Sequence, residues 1–347
     1  MKIVVGVSAI NSTDNPGSGC GIARSLLKIN PVPEIIGLSY DVNDPGHYIS
    51  DLFSNSFLLP YPNSGWENTK SSLIEIQQRT GLNFLIPSLD LELPLMIRYQ
   101  NELTNLKIGS VLPTESQFNL RNKDLLPDLA SEIGCLCPQT KVAYSIDDMV
   151  QFLRQRNQFP VVIKGKYYSA YTVYNIQNAI LRASEIIAIW GFPILIQEKI
   201  EGQEVNIIGL SNCDGSLRAA VSIKKQLTTQ LNKIWTAITI RDEELDKICQ
   251  NFANQIKWRG PFELELMVNK NGIYLIEINP RFPSWSYFTT DLGINLPEML
   301  LNIYYSGDCA EKFEYAVGKF FVRHVAEFMT DLTSFKNLIS YQNRNGL

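Results

Sequence analysis

A carboxylate, an amide and a guanidinium follow one another in the segment IYLIEINPRF, residues 273 to 282. Glu277 interrupts an apolar run, Asn279 follows two residues later, and Arg281 comes two residues after that. Side chains two residues apart lie on the same face of a β-strand, so the pattern predicts these groups on one side of a sheet. Burying an unpaired carboxylate is unfavourable by on the order of several kcal/mol, so Glu277 requires a compensating charge.

The preceding apolar segment, FELELMV, supplies further carboxylates. Glu263 and Glu265 share one face of this predicted strand. A turn at Asn271-Gly272 would pair the strand with the next one and set Glu265 close to Glu277. Carboxylate and amide oxygens are the ligands that Mg²⁺ prefers, and its other positions are filled by water and substrate phosphates. The spacing therefore predicts a magnesium site formed by Glu265, Glu277 and Asn279.

A structural ion pair is the alternative to a metal. Buried charges either coordinate metals or are paired with an opposite charge. Arg281 or a lysine could neutralise Glu277 without any ion, and the spacing alone does not choose between the two.

The first 115 residues alternate between strand and helix patterns. Helical stretches such as Ser71–Arg79, which Gly81 ends, separate the strands. This alternation indicates a parallel, doubly wound α/β sheet. The predicted strands are Lys2–Val7, Glu34–Leu38, Phe57–Leu59, Phe84–Pro87 and Lys107–Val111.

A glycine-rich segment with Gly17, Gly19 and Gly21 follows the first strand. The glycines suggest a dinucleotide-binding turn with Asp41 as the ribose acid, but that fingerprint needs a glycine where Ile22 stands. Two other interpretations stay open. The segment is either a plain turn or a helix N-terminus whose N–H groups face a substrate carboxylate.

The rest of the chain predicts an α+β arrangement. Residues 120 to 158 have a helical pattern, in which Ser145 and Asp148 form a capping box. Asn175–Trp190 and residues 241 to 257 predict further helices. Strands are predicted at FPVVIKG, PILIQEKI, EVNIIGL, LRAAVSIKK, the two acid-bearing segments and GKFFVRHVAEF.

The composition argues against several classes of protein. The chain has 347 residues, 45% of them hydrophobic and 19% charged, as in folded soluble proteins. A net charge of −4 argues against nucleic-acid and anionic-membrane partners. No apolar stretch has the length of a signal or membrane segment, so we expect a cytoplasmic protein. Two histidines are too few for a zinc site, and the six scattered cysteines predict free thiols.

The paired segments GPFELEL and YLIEINPR resemble the strands that mark the ATP-grasp superfamily. They are most similar to the branch that holds biotin carboxylase and the large chain of carbamoyl-phosphate synthetase, with the stand-alone carboxylate–amine ligases close by. The resemblance extends over nearly the whole chain. It implies a doubly wound pre-ATP-grasp domain at 1–115, linker helices and a lid subdomain at 116–198, and a C-terminal subdomain with the metal site at 199–347, the last two forming a two-lobed ATP-grasp fold.

The resemblance also implies roles for individual residues. Glu265, Glu277 and Asn279 fall on the metal-ligand positions, for Mg²⁺ or alternatively Mn²⁺. Arg281 falls on the arginine that faces the transferring phosphoryl group and the reacting carboxylate. The ATP-binding positions are Lys123 and Lys164 for the phosphates, the hinge residues Glu198, Lys199 and Ile200 for the adenine, and Glu204 for the ribose.

The predicted lid loop, GKYYSAYT, departs from the family pattern. Close backbone approach to phosphates usually requires several glycines, whereas this loop has one glycine, three tyrosines and Lys166. Either the lid binds differently or catalysis is slow. A non-catalytic nucleotide-binding module is therefore an alternative to an enzyme.

As an enzyme, the chain would be an ATP- and Mg²⁺-dependent carboxylate–amine (amino acid or peptide) ligase that acts through an acyl phosphate and releases ADP and phosphate. Its partners would be small-molecule or peptide carboxylates and amines, and a homodimer is one possible assembly. The alternative is a subunit of a biotin carboxylase or carbamoyl-phosphate synthetase system, which would need further subunits. Candidate substrate contacts, with core packing as the other interpretation, are Trp235, Trp285, Tyr287 and, more remotely, Arg323.

Overall fold

The computed structural model of the chain describes residues 2–11, 16–123, 125–165, 169–229, 233–327 and 329–344. Among these residues, no helix has both the length and the apolar character needed to cross a membrane. The strands are β1 (Val4–Val7), β2 (Glu34–Ser39), β3 (Asn55–Leu58), β4 (Phe84–Ile86), β5 (Thr140–Ala143), β6 (Val161–Gly165), β7 (Ala170–Val173), β8 (Ile194–Glu198), β9 (Gln203–Ser211), β10 (Leu217–Thr228), β11 (Ile234–Ile240), β12 (Gly260–Asn269), β13 (Gly272–Asn279) and β14 (Phe320–Val322). The α-helices are α1 (Gly19–Leu26), α2 (Trp66–Thr80), α3 (Leu93–Arg98), α4 (Gln100–Asn105), α5 (Glu115–Asn119), α6 (Leu126–Ile133), α7 (Ile146–Arg156), α8 (Ile176–Trp190), α9 (Glu243–Ile256), α10 (Tyr287–Asp291), α11 (Leu296–Ser306) and α12 (Leu332–Arg344).

The first of two compact units begins with a parallel sheet. In the described part of the chain, this sheet has the strand order β3-β2-β1-β4. Val5 and Val7 of β1 pack in the core that includes α1, whereas Val4 packs on the other face with Leu73 and Ile76 of α2. Apolar cores on both faces confirm the predicted doubly wound α/β sheet. The unit comprises Met1–Asn119, Val205–Glu265 and Glu277–Leu347.

A second sheet has the order β13-β12-β9-β10-β11-β14, within the described residues. The pairs β9–β10, β10–β11 and β11–β14 are antiparallel. The turn between β12 and β13 is Lys270-Asn271 rather than the predicted Asn271-Gly272. The Asn271 N–H donates to Asn269 Oδ1 at 2.8 Å, and Gly272, with φ of 137°, already begins β13. The two acid-bearing strands thus form the predicted hairpin, with its turn one residue earlier.

The second unit comprises Leu120–Glu204 and Leu266–Ile276. Its sheet has the order β5-β8-β6-β7 in the residues that the structure describes, and these neighbours are antiparallel. In β6, Val161, Ile163 and Gly165 are buried while the alternate residues are half-buried, as expected where one face covers a core. The Asp148 N–H donates to Ser145 Oγ at 3.0 Å, so the cap of α7 is formed. The division into domains at 115 and 198 stays a prediction.

Two sequence-based expectations about secondary structure are wrong, and one strand was not predicted. Lys107–Val111 forms no strand: only Gly109 bridges to Phe84, and Lys107 has φ of 59°, which interrupts an extended backbone. The stretch 120–158 is not continuously helical, because Thr140–Ala143 pairs with β8 as β5. The alternating segment Ile234–Ile240 was not predicted as a strand, although it forms β11 between β10 and β14.

Gly209 allows β9 to pass under an aromatic ring of β12. A Cβ atom at Gly209 would lie 2.2 Å from Cζ of Phe262, which is fully buried. Gly209→Ala should therefore lower the free energy of unfolding by about 1–3 kcal/mol through overpacking. Urea denaturation measures this change.

Gly21→Ala in α1 is the matched control. A Cβ there would meet Tyr287 Cβ at an ordinary 3.5 Å, so the variant should be as stable as the wild type or up to about 1 kcal/mol more stable. Equal stabilities of the two variants would mean that Phe262 does not lie against Gly209.

Candidate active site

Glu263 of β12 is a carboxylate almost fully removed from water, with 3% of its surface exposed. Its Oε1 accepts hydrogen bonds from Trp285 Nε1 at 2.6 Å and from Asn206 Nδ2 at 2.7 Å. Its Oε2 accepts one from Asn279 Nδ2 at 2.8 Å. Burial raises the pKa of the Glu263 carboxyl and the Glu265 charge raises it further, whereas the bond from Trp285 lowers it.

Asn279 connects β13 to both acids of β12. Its Nδ2 donates to Glu263 and also to Glu265 Oε1, at 3.1 Å. Its Oδ1 accepts a hydrogen bond from Arg281 Nη2 at 3.3 Å. The hairpin therefore brings together Glu265, Asn279 and Arg281, three of the residues that the sequence singled out.

Arg281 forms an ion pair with an acid that the sequence did not indicate. Its Nε and Nη2 donate to Asp90 Oδ2 at 3.0 and 2.8 Å, and its Nη1 donates to Phe282 O at 3.3 Å. The two side chains are only 16% and 17% exposed. The alternative in which Arg281 pairs with Glu277 is therefore wrong, because Asp90 occupies the guanidinium.

Glu277 is half-buried, and in the described part of the chain no ion pair involves its carboxylate. The ion pair with a lysine, the other form of the structural alternative, is thus also not found there. The described residues contain no group of three or more His, Cys, Asp and Glu side chains that could hold a metal ion. The predicted ligand set is not such a group, because its third member is the amide of Asn279.

Lys225 of β10 is a further residue of this site. Its side chain is 7% exposed, and its Nζ lies 3.6 Å from Glu265 Oε2. Nothing in the sequence indicated Lys225, because a lysine in the run SIKK is typical of the solvent-facing side of a strand. Its ammonium lies beside one of the predicted metal ligands.

Asp90 is positioned by a loop that Glu92 anchors. Glu92 is 1% exposed and accepts hydrogen bonds from Ser8 Oγ, from Tyr40 Oη at 2.5 Å and from the N–H groups of Ser88 and Leu89 at 2.7 and 2.9 Å. Burial raises the pKa of its carboxyl. The loop follows β4, and the carboxyl ends of strands in an open α/β sheet are where ligands bind. That rule is the sequence signal by which Asp90 could have been found.

In the second unit, the charges of two predicted phosphate-binding lysines act on one thiol. Burial raises the pKa of Cys137, while the positive charges of Lys123 and Lys164 both lower it. The Lys123 Nζ donates to Ile276 O at 3.0 Å. The two lysines lie in the same unit, Lys123 shortly before α6 and Lys164 in β6.

The predicted hinge runs from the end of β8 into β9. The Glu198 N–H donates to Gln139 O at 2.8 Å. At this residue, an adenine could therefore form a backbone hydrogen bond only with the carbonyl oxygen. Ile200 is 8% exposed. A Cβ at Gly202 would lie 2.4 Å from Val268 O, so only glycine fits this approach. Lys199 is exposed and Glu204 half-buried.

The predicted substrate-contact residues differ in burial and contacts. Trp285 is 1% exposed and bonds Glu263, so core packing describes it better than substrate contact. Trp235 and Tyr287 are half-buried. Arg323 donates to Ser284 O and Oγ at 3.3 and 3.1 Å, and burial lowers its pKa. The lid residues Lys166, Tyr167 and Tyr168 lie outside the described residues.

Part of this chain is similar in sequence to a protein family and to larger enzymes. A family model described as "ATP-grasp in the biosynthetic pathway with Ter operon" matches residues 192–328. The carbamoyl phosphate synthase large chain of Saccharolobus solfataricus is 23% identical over 223 residues, which cover 60% of this chain and 21% of the relative. The chain thus spans about a fifth of the length of the curated relatives that it matches.

Solved structures share the fold over most of the chain. The biotin carboxylase domain dimer of Hydrogenobacter thermophilus 2-oxoglutarate carboxylase, in complex with MgADP, ADP and bicarbonate, has a TM-score of 0.67 at 12% identity, covering 92% of this chain and 73% of that one. An L-amino acid ligase from Bacillus licheniformis has a TM-score of 0.63 at 14% identity, covering 87% and 74%. The family model thus identifies ATP-grasp sequence at residues 192–328, and the solved structures show that the fold is shared.

Proposed function

We propose that the chain is an ATP- and Mg²⁺-dependent ligase that joins the carboxylate of an amino acid or peptide to an amine. The carboxylate attacks the γ-phosphorus of ATP, which gives an acyl phosphate and ADP, and the amine then displaces phosphate. The observation that carries the proposal is Glu277, a half-buried acid with no ion pair in the described part of the chain, on the strand of Asn279. A carboxylate without an ion pair can bind a cation, and a metal ion held together with Asn279 would supply that charge.

The donor set suits Mg²⁺, with Mn²⁺ as an alternative ion. Glu265 and Glu277 supply carboxylate oxygens and Asn279 an amide oxygen, all of them hard ligands. When bound, Mg²⁺ neutralises charge on the β- and γ-phosphates of ATP. Lys225, 3.6 Å from Glu265 Oε2, restricts the orientation of that carboxylate.

Arg281 would stabilise the negative charge that develops on the transferring phosphoryl group. Asp90 and Asn279 hold its guanidinium from two sides, at 2.8 and 3.3 Å from Nη2. A guanidinium fixed in this way does not need to reorganise during the reaction, which is the condition for strong electrostatic stabilisation. Asp90 is therefore a positioning residue in this proposal.

The second unit carries the groups proposed to bind the nucleotide. Lys123 and Lys164 would contact the phosphates, as charged donors that form the stronger class of hydrogen bonds. The backbone of Glu198 and Ile200, with Lys199 beside it, would bind the adenine, and Glu204 the ribose hydroxyls. The L-amino acid ligase among the structural neighbours supports an amino acid or peptide as substrate.

A carboxylating subunit is the second candidate function. It is supported by the similarity of 60% of this chain to part of a carbamoyl phosphate synthase large chain, and by the biotin carboxylase fold. In this case, bicarbonate would be the carboxylate that attacks ATP. A nucleotide-binding module without turnover is the third candidate, which the glycine-poor sequence of the predicted lid loop at 165–172 suggested.

The nucleotide product tests the reaction. With Mg²⁺, ATP and pooled carboxylates and amines, ADP and phosphate should form, and faster when an acid and an amine are both present. Glu277→Gln should abolish Mg²⁺-dependent turnover and keep the melting temperature, because it removes a ligand charge at nearly constant shape. AMP and pyrophosphate as products, or full activity in Glu277→Gln, would contradict the proposal. Bicarbonate-dependent ADP formation without an amine would favour the carboxylating subunit, and binding without turnover the module.

Lys164→Ala tests the nucleotide site. Loss of a charge-assisted bond to phosphate should weaken binding of Mg²⁺ and a non-hydrolysable ATP analogue by about 1.5–3 kcal/mol, or about 10- to 150-fold in Kd. Isothermal titration calorimetry measures the affinity. Lys141→Ala, an exposed lysine of β5 in the same sheet, is the control and should bind as the wild type does. Unchanged affinity in Lys164→Ala would mean that this strand does not face the phosphates.

Asp90→Asn tests the support of Arg281. The pair is mostly buried, so the variant should lose about 1–3 kcal/mol of unfolding free energy in urea. Its ADP-forming rate should fall more than its ATP affinity, because the guanidinium loses its fixed position. Glu311→Gln removes an acid that is 60% exposed from Arg218 and should change stability by about 0–1 kcal/mol. Equal effects of the two substitutions would refute a special role for Asp90.

A further inference from the structure

We propose that Glu263, which is not itself a ligand, is a positioning residue that fixes the side-chain amide of Asn279 so that its oxygen stays available to a metal. This inference rests on the proposed function, because only there is Asn279 a ligand. It assigns a role to the most deeply buried acid of the β12–β13 hairpin, which the spacing of the metal ligands does not explain.

The orientation of the Asn279 amide is determined by its hydrogen bonds. Both N–H groups of Nδ2 are used, on Glu263 Oε2 at 2.8 Å and on Glu265 Oε1 at 3.1 Å. Oδ1 therefore faces the other way, toward Arg281 Nη2 at 3.3 Å. Turning the amide over would set its oxygen against two carboxylates and its N–H groups against a guanidinium, and neither contact is a hydrogen bond.

Glu265 is not sufficient to hold this orientation. It is 27% exposed, lies 3.6 Å from Lys225 Nζ, and in the proposed function it donates its oxygens to the metal. Glu263, in contrast, has only N–H donors as hydrogen-bond partners among the described residues: Asn206, Trp285 and Asn279. When a metal is bound, Glu263 therefore still accepts the hydrogen bond from Asn279.

Only a carboxylate can accept from all these donors. A glutamine at position 263 would carry one oxygen and one NH₂ group. The indole N–H of Trp285 has no acceptor function, so the glutamine oxygen must stay on the Trp285 side and its nitrogen must face Asn279. Asn279 would then turn its Oδ1 toward position 263 and its N–H groups toward the metal side. Glu263→Gln should therefore damage a metal site that it does not touch.

The same hydrogen bonds predict a rescue. Trp285→Phe removes the indole N–H, and Asn206 can then turn over, since its Oδ1 is buried without a hydrogen-bond partner. In Glu263→Gln/Trp285→Phe, the glutamine nitrogen can face Asn206 and its oxygen can again accept from Asn279. The second substitution should restore the Asn279 orientation that the first one reverses.

Mn²⁺ binding to the full chain tests the proposal. Free Mn²⁺ is measured by electron paramagnetic resonance with a non-hydrolysable ATP analogue present. Asn279→Ala and Glu263→Gln should each weaken Mn²⁺ binding by about 10- to 100-fold, the usual effect of losing a ligand's support. Trp285→Phe alone should bind as the wild type does, and the double variant should recover most of the loss. Its melting temperature should nevertheless be lower than that of either single variant.

Five results would overturn parts of the proposal. Wild-type affinity in Glu263→Gln, with weakened binding in Asn279→Ala, would refute the positioning role alone. A double variant that binds no better than Glu263→Gln would also refute it, because a merely structural role predicts added losses. No Mn²⁺ binding by the wild type, or none lost in Asn279→Ala, would refute the proposed metal site as well. If Glu263→Gln does not fold, Glu263→Asp, which withdraws the carboxylate by one methylene, should show the same weakening, and wild-type affinity there would overturn the proposal.

Discussion

A carboxylate inside a sheet has to be satisfied by donors from the protein, because water does not reach it. Glu263 meets this condition through side chains on its two neighbouring strands and beyond one of them: Asn206 of β9, Asn279 of β13 and Trp285, which follows β13. A shift of register by one residue would turn these side chains to the opposite face and leave the acid without donors. Burial of one carboxylate therefore ties the register of β9, β12 and β13 to the geometry of the candidate site.

The fold was predictable where one pattern dominated a segment. The strands β1 and β2 are continuous apolar runs covered on both faces, and the alternation of β6 identifies a half-buried strand. The prediction of a strand at Lys107–Val111 was wrong because the apolar residues of this segment are buried without forming a ladder. Gly109 instead packs under Tyr304. The strand β5 is only four residues long and has mixed polarity, so its own residues do not identify it as a strand. It is a strand because it pairs with β8.

Contacts between site residues within one hairpin were predictable from the sequence, whereas contacts between residues far apart in the chain were not. Period-2 spacing was enough to bring Glu265 and Asn279 together, since a hairpin fixes its own partners. It could not name Asp90 as the partner of Arg281, because these residues are separated by 191 positions and meet through tertiary structure. Lys225 was missed for the same reason. Glu263 was placed on the correct face, but its burial, which determines its role, is a property of the folded sheet.

The balance of charge around these strands shows why the proposed chemistry needs a metal. Asp90, Glu263, Glu265 and Glu277 are carboxylates, and Lys225 and Arg281 are the cations beside them. Among the described residues, these four acids outnumber the two cations. Such a surface repels the phosphates of ATP, since like charges at short range interact strongly in a partly buried site. A divalent ion bound by Glu265, Glu277 and Asn279 would reverse the sign of this local field. Under the proposed function, the carboxylate ligands thus make phosphate binding at these strands conditional on the metal.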